Sequence, residues 1–222
     1  MSSYGQFCPV AKAREVLDER WTMLVLRELL AGTRRFNDLR RGVPRMSPAL
    51  LSKRLQSLQR AGVVVRVDEG GHRAYALTRA GEELGPIVDA IGRWGFRWIG
   101  ELGDEDLDPH LLLWDMRRSM ALDAVPPGRV VIRFRFRDLA ADADWWLVVA
   151  DGEVDVCDYD PGFPVTVRVD ADLRVFTRLW RGDIGWREAL RSGGVVVDGP
   201  AAVRRTLPTW FRPTRWAVAQ PA

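Results

Sequence analysis

Between Ser47 and Gly62 the chain supplies its own helix start and stop. A serine can accept a hydrogen bond from a free N–H of a first turn, proline suits the first helical position, and glycine readily ends a helix. Within MSPALLSKRLQSLQRAG (46–62), a rotation of about 100° per residue gathers Leu51, Leu55 and Leu58 into one narrow apolar stripe. Ala49, Lys53, Gln56 and Arg60 lie opposite, with Ser52 at the edge. Such a helix demands a core on one side and leaves a polar face on the other, so its neighbours decide the fold.

Those neighbours are helices before it and a hairpin after it. Pro9 opens a helix to about Leu17, residues 21–32 form a second that ends at Gly32, and residues 34–43 a short third. VVVRVDEGGHRAYALT (63–78) holds two β-rich runs around Asp68-Glu69-Gly70-Gly71, where glycines accept positive φ at little steric cost. Thr78 can cap a long last helix predicted to reach about Ile99, with Leu84, Ile87, Val88, Ile91, Trp94 and Trp98 on its apolar side. That element order is the order of a winged helix-turn-helix domain.

Charge divides the chain in the same place. Residues 1–103 carry 17 basic and 11 acidic residues, a surplus of six positive charges; the remainder carries 16 basic and 19 acidic, an excess of three negative ones. The seam, GELGDEDLDP (100–109), is glycine-bearing, acidic and closed by proline, and predicts domains of 1–103 and 104–222. Only Lys12 and Lys53 are lysines, an arginine excess expected of a GC-rich bacterial genome and no evidence in itself of nucleic-acid binding. Two cysteines cannot form a disulfide framework, and neither a secretory signal nor an apolar run of membrane-spanning length is present, so a cytoplasmic protein without a membrane partner is predicted.

A helix about 10–12 Å across fits the major groove of DNA, and the helix before it braces it against the backbone. On that reading Ser47, Ala49, Ser52, Lys53 and Gln56 face base edges or nearby phosphates of double-stranded DNA. Gln56 can pair bidentately with adenine, Lys53 can reach guanine or phosphate, and Ala49 can touch a thymine methyl. Arg34, Arg35, Arg45 and Arg54 would hold phosphates, and His72 and Arg73 at the hairpin tip would reach an adjacent groove. A solvated helix face would carry the same residues; the element order, the caps, the hairpin and the basic balance together favour DNA.

The N-terminal half resembles the HxlR family of transcription regulators, a branch of the MarR-like winged-helix proteins. The matching residues are Cys8-Pro9-Val10, Trp21-Thr22, Leu26-Arg27-Glu28-Leu29, Arg35-Phe36 with Asp38-Leu39, Ser47-Pro48, Leu50-Leu51-Ser52, Arg54-Leu55, Gly62-Val63, Tyr75 with Leu77-Thr78, and Gly81. The resemblance implies a homodimer packed through its first and last helices on a two-fold operator, with half-sites roughly 34 Å apart. A small dimer on an operator blocks polymerase without further contacts, which favours a repressor. The hairpin tip departs from the family pattern: it reads DEGGHR, with Ala74 before Tyr75. In some members the cysteine at the place of Cys8 senses electrophiles or oxidants. A thiol just before a helix start sits at the positive end of the dipole, which permits that role; packing or capping of the first helix is the plainer one. Cys157, flanked by Asp155, Asp158 and Asp160, is expected to be inert.

The second half reads as α+β, with helices on one side of a mostly antiparallel sheet. Asp108-Pro109 caps a helix predicted over 109–122, and 130–138 alternates as a half-buried antiparallel strand. Two strands follow around Asp151-Gly152, then one over 164–170, a helix-turn-helix, a strand over 195–199 and a last helix from Pro200. This segment resembles the sterol-carrier-protein-like domains. The resemblance rests on DGEVDVCD (151–158), Pro164-Val165-Thr166-Val167, Asp172-Leu173, Leu179-Trp180-Arg181-Gly182, Ala189-Leu190 and Gly194–Gly199. It implies a cavity between sheet and helices for an apolar small-molecule effector. Trp114, Trp145, Trp146, Trp180, Trp186, Trp210 and Trp216 would fill the core or wall that cavity, with Trp145, Phe176 and Trp180 the candidate lining. His72 and His110 form no ligand spacing, and no P-loop, GxGxxG or GxSxG is present, so neither enzyme, metal nor cofactor is predicted.

Overall fold

A computed structural model of the chain describes residues 3–139, 144–212 and 214. Trp216, a candidate core or cavity ring, lies outside the described residues. The chain divides into two compact units, Met1–Gly95 and Phe96–Ala222.

The first unit is built around the leucine stripe. Helices α1 (Pro9–Leu17), α2 (Thr22–Leu30), α3 (Phe36–Gly42) and α4 (Pro48–Arg60) precede a hairpin of β1 (Val64–Glu69) and β2 (His72–Leu77). Leu51, Leu55 and Leu58 are buried against Val25, Leu26 and Leu39. Gly70 and Gly71 have φ of 60° and 79°, the left-handed pair that a two-residue hairpin turn needs. Tyr75 N–H donates to the Arg34 carbonyl at 2.9 Å, which ties the hairpin to the entry of α3.

The helix predicted from Thr78 to Ile99 is two helices, α5 (Arg79–Glu82) and α6 (Gly85–Trp98). Pro86 is the reason: it has no N–H to donate and its ring collides with the carbonyl four residues back, so no helix runs through 82–86. Thr78 does cap the first piece, accepting from Gly81 N–H at 3.2 Å, and its hydroxyl donates to the Gly62 carbonyl at 2.6 Å. Gly81 is needed there because a Cβ would stand 2.3 Å from the Val63 carbonyl oxygen. On α6 only Val88 is buried; Ile87, Ile91, Trp94 and Trp98 form a row exposed to solvent.

A carboxylate sits in the middle of the first unit. Glu28 on α2 is 1% exposed, and its Oε1 accepts from Arg27 Nε and Nη2 at 3.2 and 2.9 Å. The same Arg27 Nη2 donates to the Gly42 carbonyl at 2.9 Å, and the Thr33 hydroxyl donates to Glu28 Oε2 at 3.4 Å. A Cβ on Gly42 would fall 1.9 Å from Glu28 Oε2. The group therefore pins the end of α3 against α2 and sets where the turn into α4 begins.

The second unit holds a five-stranded sheet in the order β5-β4-β3-β6-β7. Its strands are β3 (Val130–Phe136), β4 (Asp144–Ala150), β5 (Glu153–Cys157), β6 (Val167–Ala171) and β7 (Val195–Asp198). Helices α7 (Pro109–Arg118), α8 (Leu173–Arg181), α9 (Trp186–Arg191) and α10 (Ala201–Thr206) complete it. β3 is central rather than a half-buried antiparallel strand: it pairs antiparallel with β4 but parallel with β6. One sheet face, with Ile132, Phe134, Phe136, Leu147 and Val169, shares the main core with Leu113, Trp114 and Phe176. On the other, Val131, Trp146 and Cys157 are buried together, and Arg133 pairs with Asp144 at 2.9 Å. The helix predicted over 109–122 stops at Arg118 because the next residues pair with a distant segment: Ala121 N–H donates to the Trp210 carbonyl at 2.8 Å and Arg212 N–H to the Ser119 carbonyl at 3.0 Å.

Gly42→Ala should cost about 2 kcal/mol, since a methyl group must displace a buried, paired carboxylate. Glu28→Ala should cost about 2–4 kcal/mol by itself, and the double variant should fall short of the sum by more than about 1 kcal/mol. Urea titrations of the four proteins measure that coupling; strict additivity would separate the two residues.

Candidate functional site

α4 presents its polar face as a capped, exposed ridge. Ser47 has φ −65° and ψ 148°, its Oγ accepts from Leu50 N–H at 3.3 Å, and Pro48 takes the first turn. Ala49, Lys53 and Gln56 are exposed along one side and Ser52 is half-buried beside them, because the leucines opposite are committed to the core. Arg35 stands exposed at the entry of α3 and Arg45 exposed in the turn that leads into α4.

The predicted residues do not all share this surface. Arg54 points the other way: its side chain is 11% exposed, it is ion-paired with Glu19, and its Nε donates to the Arg20 carbonyl at 3.0 Å. The predicted phosphate role for Arg54 is corrected accordingly. One turn after Leu51 and one residue before Leu55, it flanks the apolar stripe and reaches the α1–α2 loop. Arg34 is exposed but ion-paired with Glu69 beside the hairpin turn, so a phosphate would have to compete with that carboxylate. His72 and Arg73 are exposed on β2, opposite Glu69 and Asp68.

Sequence reasoning missed the positioning role of Arg27, Glu28 and Gly42. The available signal was a carboxylate set between Leu26 and Leu29 on a helix that is otherwise apolar there. Cys8 is partly exposed, is a free thiol, and immediately precedes α1, with its carbonyl accepting from Lys12 N–H at 3.0 Å. The arm before it is tied to α1: the Tyr4 hydroxyl donates to Asp18, and the Tyr4 N–H donates to Glu15 Oε1 at 3.0 Å. The Arg14 guanidinium, first, and the Tyr4 hydroxyl hold the Asp18 carboxyl below the usual carboxylate range. Cys157 is buried.

In the second unit a chamber of about 160 Å³ opens among α7, α8, the start of α9 and Phe211. Phe176 and Trp180 line it, joined by Trp186, one of the tryptophans expected in the core or the cavity wall, and by Met116 and Ile184, which the sequence does not single out. Trp180 is oriented by its Nε1, which donates to Asp115 Oδ2 at 3.0 Å, and Phe176 meets Trp186 edge-on at 6.2 Å. Trp145 stands elsewhere, its ring 5.5 Å from that of His110. Trp114 and Trp210 are fully buried core residues. Among the described residues no helix is long and apolar enough to cross a membrane.

Three helices whose last is braced by the other two, followed by a hairpin hydrogen-bonded to the entry of α3, define the first unit as a winged helix-turn-helix. Residues 16–102 match the HxlR-like helix-turn-helix family. The uncharacterized HTH-type transcriptional regulator YvaP of Bacillus subtilis is 38% identical over 99 residues, which is 43% of this chain and 92% of that protein. The uncharacterized HTH-type transcriptional regulator sll1512 of Synechocystis is 36% identical over 98 residues, 43% of this chain and 73% of its own. Among solved structures, quinone-bound YodB from B. subtilis is similar at 27% identity, covering 41% of this chain and all of its own with a TM-score of 0.37. The chain belongs to the HxlR-like helix-turn-helix family.

Two neighbouring basic residues on α4 should behave differently. Arg54→Gln should lower stability by about 1–2 kcal/mol, the loss of its charge-assisted hydrogen bond to the Arg20 carbonyl and of its pairing with Glu19, whereas Lys53→Ala should stay within about 0.5 kcal/mol of wild type. Thermal or urea unfolding checks both, and an Arg54→Gln protein of unchanged stability would free that side chain for another role.

Proposed function

We propose that the protein is a transcriptional regulator, acting as a repressor in the cytoplasm, that binds double-stranded DNA as a homodimer through α4. The observation that carries this reading is the exposed ridge of Ala49, Lys53 and Gln56 on a helix whose opposite side is committed to the core. Relatives named as HTH-type transcriptional regulators support it. Ser47, Ala49, Ser52 and Gln56 meet base edges, Lys53 a guanine or phosphate, and Arg34, Arg35 and Arg45 phosphates. His72 and Arg73 reach outward from the wing to an adjacent groove. Two copies pair through the apolar row of α6 and through α1, where Val10 is also exposed, and place two recognition helices on half-sites roughly 34 Å apart.

Residues 104–222 form a sterol-carrier-like domain that senses an apolar small molecule, and the aromatic-walled chamber supports that assignment. Ligand and operator then affect each other's binding by the same factor, because linkage is reciprocal. The α6 row offers a direct test of assembly: Ile91→Glu with Trp94→Glu should turn a dimer into a monomer in sedimentation equilibrium, and a wild-type monomer would overturn the pairing.

Binding to DNA from the chain's own upstream region, titrated across salt, tests the reading. Gln56→Ala should lose roughly 1–3 kcal/mol of sequence preference, and Lys53→Ala should reduce the salt slope by about one phosphate contact. Binding indifferent to sequence and to both substitutions would reduce the ridge to a solvated face.

A second reading is carried by Cys8, a partly exposed free thiol directly before α1. In it the protein responds to electrophiles or oxidants through that thiol and the second unit is structural. Mass spectrometry after mild diamide or quinone treatment should then find Cys8 modified and buried Cys157 intact. A Cys8→Ser protein with an unchanged response to either reagent would remove this reading.

A further inference from the structure

The chamber in the second unit has a neighbour. On the far side of Trp186 lies a groove of about 300 Å³ whose floor includes Leu190, Val197 and Pro208 and whose lining includes Arg204 and Arg205 on α10. Trp186 lines both spaces, the apolar chamber and the more open, arginine-bearing groove. Arg133, Arg137, Arg168, Arg174 and Arg181 of the same unit each face a carboxylate. Arg204 and Arg205 are exposed and have no ion pair with any described residue.

Size decides what the chamber admits. An apolar cavity of about 150 Å³ holds one benzene ring, while drug-sized ligands occupy about 300–1,000 Å³. At about 160 Å³ the chamber takes a single ring and not an extended lipid. Its walls select an aromatic one: Phe176, Trp180 and Trp186 offer ring faces and edges, and the hydrogen bond from Trp180 to Asp115 keeps that indole in place. A guest larger than one ring extends beyond the chamber, and the groove that shares Trp186 with it offers positive charge there.

We propose that the second unit binds an arylalkanoate, a single aromatic ring seated in the chamber with its carboxylate held at Arg204 and Arg205 across Trp186. This deepens the proposed effector reading and rests on it: the class narrows from apolar molecules to a small aromatic acid. A guanidinium pair suits a carboxylate because its planar N–H groups match the two oxygens. Both arginines are solvent-facing, so their contribution falls as salt rises.

Isothermal titration of the full chain tests this with two probes of one shape, 3-phenylpropionate and its neutral amide. The wild-type protein should bind the acid about tenfold more tightly than the amide at low salt, the size of one charge-assisted hydrogen bond. In Arg204→Gln/Arg205→Gln, two exposed changes on a surface helix, that ratio should collapse to about one with the amide unaffected. Ile184→Phe, which fills the chamber, should weaken both probes, with thermal unfolding confirming a folded protein. Equal affinity of acid and amide for wild type, or an acid advantage that survives loss of both arginines, overturns the proposal while the apolar effector reading stands. Failure of wild type to bind acid, amide or toluene overturns the proposal and that reading together.

Discussion

The buried carboxylate of Glu28 is the constraint around which the first unit is arranged. A charge excluded from water must be met by donors, and here Arg27 and the Thr33 hydroxyl meet it. Arg27 also holds the Gly42 carbonyl, so one guanidinium joins the middle of α2 to the end of α3. The absence of a side chain at Gly42 lets the carboxylate lie against the backbone. Since only five residues separate α3 from α4, the presentation of its polar ridge depends on this contact as much as on the leucines beneath it.

The same helix shows how a fold divides its basic residues between work inside and outside. Lys53 and Arg54 are adjacent, yet a step of about 100° places one on the ridge and the other against the α1–α2 loop. Arg34 lies between the two, exposed yet paired with Glu69 on the hairpin. The arrangement couples the wing to α3, through that pair and through the Tyr75–Arg34 backbone bond.

In the second unit aromatic rings are set among the aliphatic residues of the core, and several of them border the chamber. Phe134, Phe136 and Phe176 stack at tilted angles with centroids 5.5–6.1 Å apart. Planar rings cannot close every gap between short helices, and the gap beside Phe176 is bounded by Trp180, Trp186 and Phe211 rather than by the sheet. Fixing Trp180 through Asp115 keeps that space open in a defined shape. The result is a preformed apolar site, which suits recognition better than a cavity that must be opened first.

Much of this was legible in the residues. The caps at Ser47 and Asp108, the hairpin at Gly70-Gly71, the leucine stripe and the strand positions are local matters of hydrogen bonding, φ and periodicity, which neighbours along the chain decide. Pro86 was also legible, and its break in the last helix of the first unit follows from its missing N–H. What the chain could not reveal alone was non-local. Alternation placed Phe134 and Arg133 on opposite faces of β3 but not its parallel partner β6, because the side-chain period specifies faces and leaves the neighbouring strand to the topology. Helix periodicity placed Arg54 beside the stripe but could not say that Glu19 and the Arg20 carbonyl stood there. Composition suggested an aromatic pocket, while only packing separated Phe176 and Trp180, which line it, from Trp145, which stacks near His110. The sequence by itself determined the elements and their faces, since those depend on a few adjacent residues; the tertiary structure decided which charges are paired within the fold and which are left facing solvent, since that depends on what lies across a gap.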